Sequence, residues 1–442
     1  MRKVGRFSQL VMTMALPAGL LAAGPSAAQD TSPGHRAGGE YSIVVEGYDW
    51  GAGVSKVILS LDETVSSASA GDYAVSVKRQ ADCMELPPEQ AAGERIVIHA
   101  YVSDSMGRTR PEGTHVTLVL AVAPTWILSS PLQYMRSDTC RGTQWVDYDL
   151  TVTDTVGNRV WDTEIGRIMP LVDRFDLSGR YVHDTGMTLS YASFAPETSN
   201  EKSPLLIWLH GGGEGGTDPT IPLLGNRAAN YASDEIQAIF DGAYVLVPQC
   251  PGAWMHNAQG AMTHGQEDDI YNVALMALIR EYVAAHPGID TDRIYVGGCS
   301  NGGYMSLKLL LVHPDYFAAG FISSLAYQSQ YLSDEQIRSI AHLPIWFVQS
   351  ADDQTTRPEE TILPVLERLK AAGARDVHAS YYDHVVDITG FFGGDDYHYN
   401  GHWSWVYLHA NRCRRDIDGS LVRVDGRPVT IMEWMAAKSR AE

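Results

Sequence analysis

An all-β sandwich followed by a mostly parallel sheet flanked by helices is the architecture predicted, and three observations predict it. Between Tyr41 and Trp161 short β-branched runs follow one another without a helical period. After Thr185 compact apolar runs alternate with segments of helical period, the pattern of strands joined by crossover helices. The chain holds 442 residues, more than an ordinary domain of roughly 100–200 residues accommodates.

The first 28 residues combine a basic start (Arg2, Lys3, Arg6), an apolar run from Leu10 to Ala23 and small residues at Ser26 and Ala28. This is the pattern of a secretory signal peptide cut after Ala28. Pro17 and Gly19 interrupt a run shorter than the roughly 20 residues a spanning helix needs, so a membrane anchor is not expected. The mature chain is expected to be secreted or periplasmic.

Residues 30–168 form the expected sandwich, immunoglobulin-like in size. Its strands are YSIVVEG, SKVILSL, YAVSVK, RIVIHAYV, THVTLVLAV and VDYDLTVT, separated by Gly, Asp, Ser and Pro clusters. Ile165 to Tyr181 carries the chain into the second domain, residues 169–442. There LLIWLH (205–210), AYVLVPQ (243–249), RIYVGG (293–298), AAGFISS (318–324), PIWFVQS (344–350) and VHASYY (377–382) read as buried strands. A helix is expected from Glu267, with Ile270, Val273, Ala274 and Ala277 on one face and three acids at its start.

A formal charge of −20 opposes nucleic acid and anionic membranes as partners, since both are polyanions. Of five cysteines, Cys83 and Cys140 can pair in the first domain, and the odd total leaves at least one thiol without an intramolecular partner. No CxxC or HxxxH spacing supports a zinc site, and the DxDG at Asp416 to Gly419 reads as a turn. No metal or cofactor is expected.

The sharpest chemical signal is DRIYVGGCSNGGYMSLKLLL. A β-run ends at Gly298, Gly-Cys-Ser-Asn-Gly turns, and an amphipathic helix follows. A nucleophilic serine needs this context, because the tight turn lifts the hydroxyl of Ser300 above the strand ends and leaves room only for small flanking residues. The oxyanion of an attacked carbonyl needs donors, and LLIWLHGGGEGGTD supplies a strand followed by glycines whose amides are accessible. The hole is assigned to the amides of Gly212, with Gly213 next in line, and of Asn301. His210 is expected to orient that loop. LPIWFVQSADDQTTRP offers Asp352 and Asp353 at a later strand end, with Asp353 the better match to the usual turn. His402, after the last strand in GHWSWVYLHAN, is the expected base, with His398 its rival. Trp254, Met255 and Trp403 are the candidate substrate-lining side chains. Cys299 is expected to be buried or bridged.

The stretches HGGGEGGTD, LLGNRAANYASDEIQ, VLVPQCPGAWM, IDTDRIYVGGCSNGGYM, FVQSADDQTT and GHWSW resemble secreted esterases of the polyhydroxybutyrate-depolymerase-like α/β-hydrolase group. GYDWGAGVSKVILSLDETV resembles the opening of the immunoglobulin-like domain that a subset carries. The hydrolase motifs span about residues 187–435. The resemblance implies an α/β-hydrolase fold and Ser300, Asp353 and His402 as the catalytic triad. One departure is Thr355-Thr356, where such enzymes often carry valines, and it leaves Asp352 in play.

The expected activity is hydrolysis of short-chain carboxylic esters through an acyl-enzyme. Polyester depolymerisation, removal of acyl or feruloyl groups from polysaccharides, and peptide hydrolysis would use the same triad. The partner expected is a small or polymeric ester. With no aromatic row typical of a carbohydrate platform, the first domain is expected to be structural or to join copies of the chain into a homo-oligomer.

Overall fold

The computed structural model describes residues 38–137, 140–198 and 200–440. The leader expected at residues 1–28 lies outside them.

The N-terminal strands are β1 (Gly39–Tyr48), β2 (Gly51–Val65), β3 (Tyr73–Gln80), β4 (Ala92–Arg95), β5 (Val97–Ser103), β6 (Gly113–Leu120), β7 (Leu132–Arg136), β8 (Arg141–Trp145), β9 (Asp147–Asp154) and β10 (Val160–Ile168). Eight of them hydrogen-bond in the order β4-β3-β9-β10-β1-β2-β6-β5, and β7 and β8 form a separate hairpin. Alternation decides which face turns inward: in β3, Val75 and Val77 are buried while Ala74, Ser76 and Lys78 are exposed. Arg95 on β4 donates to Val54 O on β2 at 2.9 Å and to Ala121 O, just past β6, at 3.0 Å. Strands distant in the hydrogen-bonded order therefore face each other, as a sandwich requires. The expected antiparallel pattern has one exception, since β1 and β10 run parallel. The sequence reading missed β10 and the β7–β8 hairpin, whose strands mix polar and apolar residues.

The second sheet runs β11 (Asp176–Val182), β12 (Thr188–Phe194), β14 (Tyr244–Gln249), β13 (Ser203–Leu209), β15 (Ile289–Cys299), β16 (Ala319–Ser323), β17 (Ile345–Ser350) and β18 (Val377–Tyr382) in spatial order. From β14 across to β18 all pairs are parallel, and β11 and β12 extend the edge antiparallel. Every residue of β13, β16 and β17 is buried, because helices cover both faces of a parallel sheet. The edge pair was not expected, since its half-exposed residues give a weaker apolar signal than the central strands.

The helix expected from Glu267 begins later, at Asn272, and ends at Ala285. Asp269 caps it by accepting the amides of Tyr271 and Asn272 at 3.0 and 2.7 Å. Its inner face is Ala274, Leu275, Leu278, Ile279 and Tyr282, while Val273 and Ile270 are exposed. The expected stripe was displaced by one position, because the bulkier Leu and Tyr residues, not Val273, fill the space against the sheet.

Candidate active site

The centre of the sheet presents Ser300 between β15 and the helix Asn301–Val312. Its backbone sits at φ 55°, ψ −112°, a conformation that costs a side-chain-bearing residue about 1–3 kcal/mol and persists only where surroundings enforce it. Those surroundings are close-packed backbone. A Cβ on Gly298 or Gly302 would collide with the Leu209 carbonyl of β13, so only glycine lets strand and helix cross there. The Ser300 amide donates to Ser323 O at 2.9 Å, fixing the turn to the end of β16.

The same strand end holds the histidine loop. Ser324 Oγ donates to His402 O at 2.7 Å, and the hydroxyls of Ser323 and Ser324 each lie 2.9 Å from Ser404 Oγ, all three side chains buried. Ser404 also donates to Val348 O on β17 at 3.1 Å. The serine cluster thus joins the Ser300 turn to the His402 loop. Sequence reasoning missed it, although the paired serines of GFISS and the serine of HWSW were its only visible sign. Asn400 Oδ1 accepts the His402 amide at 3.0 Å, and the Trp405 ring stands edge-on to the imidazole at 5.4 Å.

His402 Nδ1 lies 2.9 Å from Asp353 Oδ2. The Asp353 side chain is fully buried, and that of His402 is 12 % exposed. Asp353 also accepts from Gln349 Nε2 (2.8 Å), Thr356 Oγ1 (2.7 Å) and the amides of Thr355 and Thr356 (2.8 and 3.0 Å). Burial opposes its charge, but the hydrogen bond and charge of His402, with the Thr356 donors, outweigh burial and hold the carboxyl below its ordinary pKa. The Thr355-Thr356 departure thus has a use: Thr356 supplies two of these donors. Asp352 pairs instead with His384 at 2.8 Å, and both of those side chains are substantially exposed. His398 stacks on His384 at 4.1 Å. The structure brings His402 to Asp353 and leaves both rivals on an outer pair.

Gly212 and Asn301 also meet. A Cβ placed on Gly212 would lie 3.7 Å from Asn301 Nδ2 and 3.8 Å from its Cβ. Asn301 opens its helix, so its amide has no carbonyl one turn back to bond and sits at the positive end of the helix dipole. His210 is buried with Nδ1 2.7 Å from Gly211 O, while its Nε2 accepts the Cys250 amide at 3.2 Å. That acceptance places the proton on Nδ1, which donates to the loop. Burial lowers the His210 pKa to about 4, the Gly211 carbonyl opposing, so the ring is neutral at pH 7. Its partner is Trp254, whose ring is 5.1 Å away. Trp254 and Met255 are 0 % and 4 % exposed, so of the two roles open to them, lining a pocket or packing into the domain, the structure gives them the second. The Met255 amide donates to Asn301 Oδ1 at 3.2 Å, fixing the Asn301 side chain next to Ser300. Trp403 is half-buried between Tyr399 and Trp405, at 6.1 and 6.5 Å.

Glu214, unremarked in the sequence, closes the glycine loop. Its carboxyl accepts the amides of Gly211 and of Glu214 itself, and burial, the larger effect, pushes its pKa up to about 7. The folded state therefore binds a proton that the unfolded chain releases near pH 4.5, and stability from this group is lost as pH rises from there to about 7. Glu214→Gln removes the titration. Its unfolding free energy is expected to gain on the wild type by about 2 kcal/mol between pH 5 and pH 8, after discounting for partial exposure. Urea unfolding of both proteins at the two pH values checks this, and a pH-independent difference contradicts it.

Of the cysteines, Cys83 and Cys140 form a disulfide, and Cys250, Cys299 and Cys413 are free and buried. Among the described residues no group of three His, Cys, Asp or Glu side chains is placed to hold a metal, and no helix is long and apolar enough to cross a membrane. An apolar cavity of about 860 Å3, lined in part by Trp50, Trp126, Leu223 and Phe391, includes none of Ser300, Asp353 and His402.

Residues 40–165 match the family described as the esterase Ig-like N-terminal domain, and residues 252–357, which include Ser300 and Asp353, match the prolyl oligopeptidase family. A feruloyl esterase B of Neurospora crassa is 30 % identical over 128 residues, 29 % of this chain and 41 % of that protein. A poly(3-hydroxybutyrate) depolymerase of Ralstonia pickettii is 30 % identical over 131 residues, 28 % of this chain and 25 % of that protein. The chain spans less than half the length of these curated relatives. The crystal structure of a thermostable esterase superposes with a TM-score of 0.71 at 21 % identity, covering 90 % of this chain and 99 % of that one. The fold is therefore an α/β hydrolase preceded by an Ig-like domain.

Proposed function

We propose that this protein is an exported serine hydrolase that cleaves short-chain carboxylic esters through an acyl-enzyme on Ser300. The observation that supports it most is the strained Ser300 turn tied, through the Ser323–Ser324–Ser404 cluster, to a loop whose His402 is bonded to a buried Asp353.

In this reading His402 Nε2 takes the proton of Ser300 as Oγ attacks the ester carbonyl. Asp353 holds the ring in the tautomer whose Nε2 is free and stabilises the imidazolium that forms. The amides of Gly212 and Asn301 receive the oxyanion, and each such donor is worth about 3 kcal/mol to the transition state. The alcohol leaves with the proton from His402, which then activates water to release the acid. Residues 1–28 and the Cys83–Cys140 bridge support export, since disulfides persist in oxidising compartments.

Hydrolysis of p-nitrophenyl esters from acetate to palmitate tests the proposal. Activity is expected to be highest on acetate and butyrate and to fall with chain length. A folded protein inactive on all of them contradicts it. The prolyl oligopeptidase match favours a second reading, a peptidase, and peptide anilides cleaved as fast as the aryl esters would establish that instead.

A further inference from the structure

The β7–β8 hairpin belongs to the N-terminal domain, yet it lies against the glycine loop of the hydrolase. The Thr143 amide donates to Gly213 O at 2.6 Å, and Trp145 Nε1 donates to Thr220 Oγ1 at 2.9 Å. Gly142, at φ 100°, brings backbone so near that a Cβ there would lie 2.9 Å from Gly213 O. On the far side Arg141 is close enough to His256 to depress its basicity, after burial as the larger cause. The hairpin is braced from behind. Met135 packs with Leu86 and Val146, and Cys140 at the foot of β8 is bridged to Cys83.

Tyr134 points the other way from Met135, as alternation along β7 requires. It pairs across the hairpin with Thr143, and its ring edge is 3.1 Å from where a Gly213 Cβ would stand. Gly213 directly follows Gly212, which faces Asn301, the residue after the nucleophile. Tyr134 is nevertheless 54 % exposed. A large aromatic side chain on a braced hairpin, beside the expected oxyanion loop and open to solvent, loses little entropy on binding and offers a flat face.

The geometry points to the β7–β8 hairpin as the outer wall of the substrate cleft, with Tyr134 as a specificity-determining residue that stacks on a ring carried by the ester. The ring is that of an aryl acyl group, which offers a π face, or of a sugar, which offers an apolar face of C–H bonds; tyrosine stacks on either. This inference rests on the esterase reading and extends it to the N-terminal domain.

The test compares wild type, Tyr134→Ala and Tyr134→Phe on three esters: vinyl acetate, which has no ring, methyl cinnamate and acetylated xylobiose. Tyr134→Ala is expected to raise KM about fivefold on the ring-bearing ester it serves, with kcat nearly unchanged and vinyl acetate unaffected. Tyr134→Phe is expected to restore KM, because the ring face and not the hydroxyl makes the contact. A response on only one of the two ring esters supports the proposal and identifies the ring. Equal effects on all three esters, or none, overturn it. A parallel titration of methyl cinnamate and acetylated xylobiose into Ser300→Ala protein, with and without Tyr134→Ala, reads binding without turnover. Weakening of either affinity by the second substitution supports the stacking, and unchanged affinities for both overturn it. A wild type that hydrolyses none of the esters counts against the esterase reading, while this titration still decides the role of Tyr134.

Discussion

Ser300→Ala is expected to lower kcat for p-nitrophenyl acetate by about a million-fold, the scale of loss when a serine nucleophile is removed from an intact set of partners. The residual rate comes from the oxyanion donors and substrate binding alone. The substitution should leave folding intact, because alanine has the same steric demand at φ 55° as serine and the turn is enforced by Gly298, Gly302 and the Ser323 carbonyl. Ser300→Gly is expected to be equally inactive but about 1 kcal/mol more stable, since glycine adopts this backbone without strain. Steady-state kinetics and thermal melts of the two variants together check the point. A loss of activity that tracked a loss of folded protein would show that Ser300 is structural.

Asp353→Asn is expected to cost about 10⁴-fold in kcat at neutral pH. The carboxylate receives five donors, three of them at Oδ2. An asparagine amide turns its own N–H groups toward some of these donors. It favours the His402 tautomer that accepts at Nδ1 and carries its proton on Nε2, which cannot then take the proton of Ser300. Because the Asp353 pKa is depressed by folding, the wild type also draws stability from it above the ordinary carboxylate pKa, near 3.9, and loses that as pH falls through the folded value. Asp353→Asn should therefore be less stable than wild type at pH 7 and differ least near pH 2. Asp352→Asn is the control. Its partner His384 is on the outer pair, so kcat should stay within about twofold of wild type. Equal losses from the two substitutions would contradict the assignment.

What could be read from the residues alone follows from how each signal arises. The six strands read in the hydrolase sheet lie where the sequence places them. In β13, β16 and β17 burial on both faces makes every residue a core position, while the edge strand β18 is only half-buried and was legible from its β-branched and aromatic residues. The Ser300 turn was legible because its glycines are demanded by backbone crossing, a local constraint. Choosing between Asp352 and Asp353 was not a local matter. The two are adjacent and chemically identical, and only the fold decides which one is buried beneath His402. Trp254 was not decidable from the residues either: a large aromatic beside the site fits a substrate wall and a packed loop equally, and the fold selects the second, since the ring packs on His210. Glu214 and the serine cluster were missed because their roles depend on contacts, with backbone amides for Glu214 and between residues 80 or 81 positions apart for the serines, that residue types alone do not specify. The β7–β8 hairpin escaped notice for a similar reason: LQYMR and RGTQW lack clear alternation, and their position is fixed by a disulfide and by contacts with a different domain.

The central claim is that Ser300 is an activated nucleophile, and reaction of the folded protein with a fluorophosphonate, followed by mass spectrometry of its peptides, tests it most directly. The account predicts one phosphonyl group per chain on the peptide containing Ser300, with ester hydrolysis lost in proportion and no adduct in Asp353→Asn on the same timescale. A folded, ester-hydrolysing protein that takes up no label, or takes it up at another residue as activity disappears, would contradict it.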